Sequence, residues 1–203
     1  SGNEAHLLNK SRLGDASGPR TVMIGQVRVA AVANRTNSLE CITLQQVQDI
    51  LRVSPGGIGE RGRVYGEGER DISRRVLRAT CMMVGSNRPR SAFSFRPDFE
   101  AVDDTGALCE KLRKDRRGIG FFLYTGQRLP PHIKFLDVAQ SANERPVTLE
   151  PGIVIQDDYP LAEFLVLYLR ADASAAARAF CEFAVSPAGA EIAARHGLVT
   201  PVH

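Results

Sequence analysis

The first sustained apolar pattern is TVMIGQVRVAAVANRTN, residues 21–37, where Val27, Val29 and Ala31 share one side. This period of two predicts a strand or a bent pair of strands that ends at the polar NRTN. The period then lengthens. In CITLQQVQDIL, residues 41–51, Leu44, Val47, Ile50 and Leu51 fall on one helical face, and Thr43 with Gln46 three positions on forms a capping box. The glycine-rich SPGGIGERG, residues 54–62, interrupts the pattern as a loop and leads into a short strand, RVY. Ile72, Val76, Leu77 and Thr80 predict a helix over 71–83, and Ala107, Leu108 and Leu112 predict another over 105–114.

Further on, GIGFFLY, residues 118–124, IKFLDV, residues 133–138, and FLVLYL, residues 164–169, each read as one buried strand. Asp157 and Asp158 form the turn before YPL, and a helix follows over 174–185. Ser186-Pro187 has the form of an N-cap with proline at the first helical position, and Gly197 is the matching stop. Strands and helices alternate, so the expected class is α/β with a largely parallel sheet or sheets. Residues 1–20 lack apolar periodicity and read as a flexible arm.

Composition narrows the function classes. The 203 residues, 43% hydrophobic and 24% charged, suffice for one core or two small lobes. A net charge of +3 gives no argument for nucleic acid, and the basic run KLRKDRR, residues 111–117, is interrupted by Asp115 and reads as a solvated helix end. No apolar run reaches a membrane span. The start SGNEAH is neither a signal peptide nor a methionine start, so it is read as trimmed, with any targeting segment removed. Cys41, Cys81, Cys109 and Cys181 form no CxxC pair and no cluster with histidine, so neither a metal nor a cofactor is expected. Three disulfide pairings remain open, and Cys181 reads as a small buried thiol.

Several of these pieces, in order, resemble one family. VRVAAVANRTNSLECITLQQVQDIL, RGIGFF, DDYPLAEFLVLYL and AARAFCEFAVSPAGAEIAARHGLV are similar to segments of the phosphate-binding, periplasmic-binding-protein-like components of ABC transporters. The resemblance covers about residues 22–203. It implies two α/β lobes with mainly parallel sheets, the first built from 21–37 and 141–203 and the second from 38–140. The family's opening strand and its Gly-Ser-Ser-Thr-like turn have no match before Thr21, so the first lobe is expected to be incomplete.

The resemblance also assigns a role to RVYGEGER, residues 63–70. In the family this loop reads approximately Arg-x-Asp-Gly-Ser-Gly-Thr-Arg and holds phosphate at a helix N-terminus, where free N–H groups and the dipole favour anions. Arg63, Gly66, Gly68 and Arg70 match, whereas Tyr65, Glu67 and Glu69 stand where the family has aspartate, serine and threonine. A carboxylate about 4 Å from phosphate costs about 1 kcal/mol in water and about 4 kcal/mol at an effective dielectric of about 20. Each lost hydroxyl hydrogen bond adds about 0.5–1.5 kcal/mol, and together these amount to several decades of affinity. Phosphate binding in the family manner is therefore not expected. Three readings of the glutamates stay open. They are built-in anions that cap the helix and pair with Arg63 or Arg70; or they recognise a cationic or hydroxylated ligand, with Tyr65 as a stacking wall; or they face solvent.

Elsewhere, His132 and His196 stand alone, Asp103-Asp104 and Asp157-Asp158 do not form a metal clamp, and Ser73 and Ser186 lack a nucleophile-elbow sequence. No acid, base, nucleophile and metal set can be assembled, which places an enzyme last. The first expectation is a noncatalytic substrate-binding-protein-like domain, periplasmic or extracellular, with a small solute or none as ligand and a membrane permease as a candidate partner. The alternative is an assembly module in which the incomplete lobe pairs with a second copy of the chain.

Overall fold

The computed structural model describes residues 19–52, 62–68, 72–83, 95–149, 155 and 158–200. The expected arm falls almost wholly outside these residues, as do most of the 54–62 loop, Glu69, Arg70 and Asp157.

The longest element is strand β1, Arg20–Asn34. Its residues 25–34 are all buried, which requires cover on both faces and explains the unbroken VAAVA run. The first half of β1 pairs antiparallel with β8, Ala162–Leu169, with an irregularity between Met23 and Gly25. The second half runs antiparallel between β5, Ile119–Leu123, and β6, Ile133–Phe135. On the far side of β5 lie β3, Val64–Glu67, and β4, Phe99–Val102, so the order is β4-β3-β5-β1-β6. The pairings β3–β4 and β3–β5 are parallel. A separate parallel pair joins β2, Cys41–Thr43, to β7, Asp137–Ala139. The class is α/β, with parallel strands wherever a helix makes the crossover and β1 as the antiparallel member.

Helix α1, Leu44–Leu51, starts where the sequence predicts. Thr43 Oγ1 accepts from the Gln46 N–H at 3.2 Å, and Gln46 Oε1 accepts from the Thr43 N–H at 2.8 Å. Helix α2, Ile72–Met83, buries Val76, Leu77 and Thr80. Helix α3, Thr105–Lys114, is capped by Asp104, whose Oδ1 accepts from the Ala107 N–H at 2.8 Å. Leu108 and Leu112 of α3 bear on Gly120, where an added Cβ would lie 2.8 Å and 3.1 Å from their methyl groups. Glycine thus lets the helix approach the sheet, and burying two such leucines contributes about 1.5–3 kcal/mol each. Helices α4, Ala175–Ala184, and α5, Pro187–Arg195, begin with serine caps at Ser174 and Ser186, of which the sequence reading expects the second. After α5, Gly197 turns the chain with φ +85°, and Val199 exchanges hydrogen bonds of 2.7 and 2.8 Å with Gln26 of β1.

Three local expectations change. IKFLDV is two strands, because the chain steps at buried Leu136 from the β1 sheet to the β2 pair. Strand β4 was not anticipated; it is four residues long and mostly half-exposed, too short for a period to register. FLVLYL is a strand but not a buried one: Leu165, Val166 and Tyr168 are 43%, 41% and 70% exposed. Its apolar side chains outnumber the groups that cover them among the described residues.

Candidate functional site

In an open α/β sheet, ligands bind in the crevice outside the carboxyl ends of the parallel strands. Here those ends are Glu67 of β3, Val102 of β4 and Leu123 of β5, brought level by the register Glu67–Val102 and Gly66–Phe121. At this edge the Glu67 carboxylate is held by the protein itself. Its Oε2 accepts from the Leu123 N–H at 3.0 Å, and its Oε1 accepts from the Thr105 hydroxyl at 3.2 Å. Thr105 opens α3, so the negative charge lies beside the first turn of a helix, where the exposed N–H groups and the dipole favour it. The half-buried Glu67 therefore ties three elements together: β3, α3 and β5.

The other motif residues do not gather around it. Arg63 lies at the opposite end of β3, four residues away, or roughly 13 Å along a strand. Its guanidinium is 3.8 Å from Glu100 and largely exposed. Tyr65 is buried, so it offers no open face for stacking. Its hydroxyl donates to Asp115 Oδ2 at 3.1 Å. Burial, then the bond to Asp115 and the charges of Asp115 and Glu100, push the Tyr65 hydroxyl up to about 12, against a smaller opposing pull from Arg63. The phenol is a neutral donor at any ordinary pH. Gly66 serves packing, since a Cβ there would come within 2.5 Å of the Phe99 ring, whereas no described residue lies within 4 Å of a Cβ added at Gly68. Glu69 and Arg70 lie outside the described residues.

Asp115 escaped the sequence reading. It accepts from the N–H groups of Arg117 and Gly118 at 3.0 and 3.1 Å as well as from Tyr65, closing the turn between α3 and β5. The signal was an aspartate three positions before a glycine, a turn-forming arrangement hidden inside the basic run.

Among the remaining candidates, Asp104 and Ser186 are helix caps and His196 ends α5. Ser73 is buried within α2, and Asp158 lies in the turn before Tyr159. All four thiols are free, with Cys41 exposed and the other three buried. Among the described residues no group of three or more His, Cys, Asp or Glu side chains could hold a metal ion, and no helix is long and apolar enough to cross a membrane. A cavity of about 580 Å³ opens between the segment after β7 and the start of β8, lined by Gln140, Glu144, Arg145 and Asp158 among others; it includes none of the motif residues.

No family model and no curated protein sequence matches the chain. Solved structures do. A possible phosphate-binding protein from Planctomyces limnophilus superposes with a TM-score of 0.72 at 16% identity, over 91% of this chain and 68% of that one. PstS from Borrelia burgdorferi gives 0.66 at 14% identity, over 92% and 74%. An ABC-type phosphate transport receptor from Vibrio cholerae gives 0.65 at 13%, over 90% and 73%. These identities are too low to carry function, and they speak to the fold. With its strand order, its β1 shared between pairings and these superpositions, the chain has the periplasmic-binding-protein-like fold of phosphate ABC-transporter substrate-binding proteins, in a divergent sequence that aligns with about 68–74% of their length.

Proposed function

We propose that the chain is a noncatalytic substrate-binding-protein-like domain in which the phosphate position of the fold is filled by its own carboxylate. The observation that supports this reading is Glu67: its two oxygens accept the Leu123 N–H and the Thr105 hydroxyl, donors of the kind an anion would otherwise use. An entering phosphate would have to displace that carboxylate or sit against it, at a cost of about 1–4 kcal/mol from charge alone. The domain then serves a solute other than phosphate, or none, outside the cytoplasmic membrane and in contact with a permease. Its lobes divide at residues 37 and 140, with 21–37 and 141–203 forming the smaller one.

Titration calorimetry with inorganic phosphate tests the reading. No saturable heat at millimolar phosphate is expected for the natural sequence, and weak binding is expected to return in the double variant Glu67→Ser, Glu69→Thr. Micromolar or tighter binding by the natural sequence would overturn it.

A second reading, assembly with another copy, draws support from a different observation. Leu165, Val166 and Tyr168 of β8 and Phe180 and Phe183 of α4 are all more than 40% exposed. An exposed apolar strand is a template for pairing. Light scattering distinguishes the two: a concentration-dependent oligomer that Leu165→Glu with Tyr168→Glu disperses supports assembly, and a monomer at high concentration rejects it.

A further inference from the structure

We propose a second binding site, for a small organic anion with an aromatic or branched apolar body, in the cavity between α1, the 36–39 loop and the turn before β5. The cavity measures about 460 Å³, within the range of small-molecule sites. Its floor is apolar, made of Ile42, Ile50 and Ile119, each no more than 5% exposed. Its rim carries Arg116 and Arg117, and no aspartate or glutamate is among the described residues that line it.

Two features suit it to an anion. Among the described residues neither arginine is in an ion pair, although Arg63, Arg96, Arg113 and Arg170 all are. The first turn of α1, which contributes Gln46 to the wall, contains no acidic residue, so its helix dipole is unopposed there. Both arginines also stand on fixed backbone. Asp115 Oδ1 accepts from the Arg117 N–H, and Gly62, with φ +137°, packs so closely that an added Cβ would lie 2.3 Å from the Arg117 carbonyl oxygen. Adjacent guanidiniums on a rigid turn can grip a carboxylate at two points, while the isoleucine floor takes the apolar body.

This cavity lies away from Glu67. Ile119 begins β5, whereas the Leu123 N–H that binds Glu67 ends it, roughly 13 Å along the strand. The proposal is therefore independent of whether the family site binds phosphate.

Naphthalene-2-acetate, with about 14 heavy atoms, is a suitable probe. At the efficiency of ordinary ligands it should bind with a Kd of about 1 mM or tighter, measurable by ligand-observed NMR on the full chain. The neutral isostere naphthalene-2-ethanol should bind at least about tenfold more weakly, as should the charged probe to Arg116→Gln with Arg117→Gln. Ser38→Glu, which adds a carboxylate to the rim without touching an arginine, should have the same effect. Absence of saturation by about 10 mM would overturn the proposal. So would equal binding of the alcohol, or an affinity unchanged in both variants, which would place the probe on the exposed face of β8 and α4 instead.

Discussion

Replacing Glu67 by alanine measures how far that carboxylate acts as a structural part of the fold. Among the bonds the change removes are two made by a charged acceptor, from the Leu123 N–H at 3.0 Å and from the Thr105 hydroxyl at 3.2 Å. Bonds to charged groups contribute about 1.5–3 kcal/mol each. Glu67 is only half-buried and water can reach part of the vacated site, so the pair together falls at or a little below the lower end, a loss of about 2–3 kcal/mol. For a chain of this size each kcal/mol moves Tm by about 2–4 °C, so a fall of about 4–12 °C is expected by circular dichroism. Glu67→Gln keeps an acceptor for Leu123 and should lose less than about 1 kcal/mol. The alanine variant should also regain stability on exchanging chloride for phosphate at constant ionic strength, by about 1.4 kcal/mol at ten times Kd, because its freed donors accept an anion. An alanine variant within about 0.5 kcal/mol of the natural protein would refute the idea that the carboxylate ties β3, α3 and β5 together.

Tyr65 carries a pH prediction. Its hydroxyl is raised from 10 to about 12 in the folded state, so the folded protein holds a proton that the unfolded chain releases first. Its contribution is fully present below pH 10 and is lost as pH rises toward 12; Tyr65→Phe should flatten that part of a urea-monitored stability curve. Tyr159 and Cys81, raised in the same direction by burial, contribute to the slope that remains. Gly62→Ala should cost about 3 kcal/mol or more, because φ +137° and the Arg117 carbonyl both exclude a side chain, whereas Gly68→Ala, with no described residue within 4 Å of the added Cβ, should stay within about 0.5 kcal/mol of neutral. Thiol labelling of the folded protein should modify exposed Cys41 first. Cys81 should resist, since burial pushes its thiol up to about 12.

The elements with long periods were legible in the sequence, and the relations among short ones were not. Thr43 with Gln46 and Ser186 with Pro187 announce their helices because a cap is a local event, settled by residues a few positions apart. Strand β4 and the break at Leu136 depend on which neighbour the chain meets, and four or three residues hold too little pattern to say. The same distinction governs the site. The motif resemblance points to Glu67, but nothing local reveals that its partners include Thr105 and Leu123, 38 and 56 positions away. Nor does RVYGEGER reveal that Arg63 and Tyr65 belong to a different cluster, organised by Asp115. Spacing suggests one site because the residues are adjacent in sequence; a strand separates them because it is extended.

Strand β1 has a consequence for how the protein is made. Its first residue pairs with Leu169 and its last with Ile133, so the strand that enters both sets of pairings is synthesised well before any partner exists. Nearly 150 residues separate Arg20 from Leu169, and at about 5–20 residues per second the ribosome needs roughly 7–30 s to deliver them. Until β5 and β6 emerge, the apolar VAAVA segment has neither of its strand partners, and the first half of β1 waits longer still, for β8. A nascent chain of this kind is expected to depend on whatever shields apolar segments during translation, and to commit to its fold only once β8 has emerged.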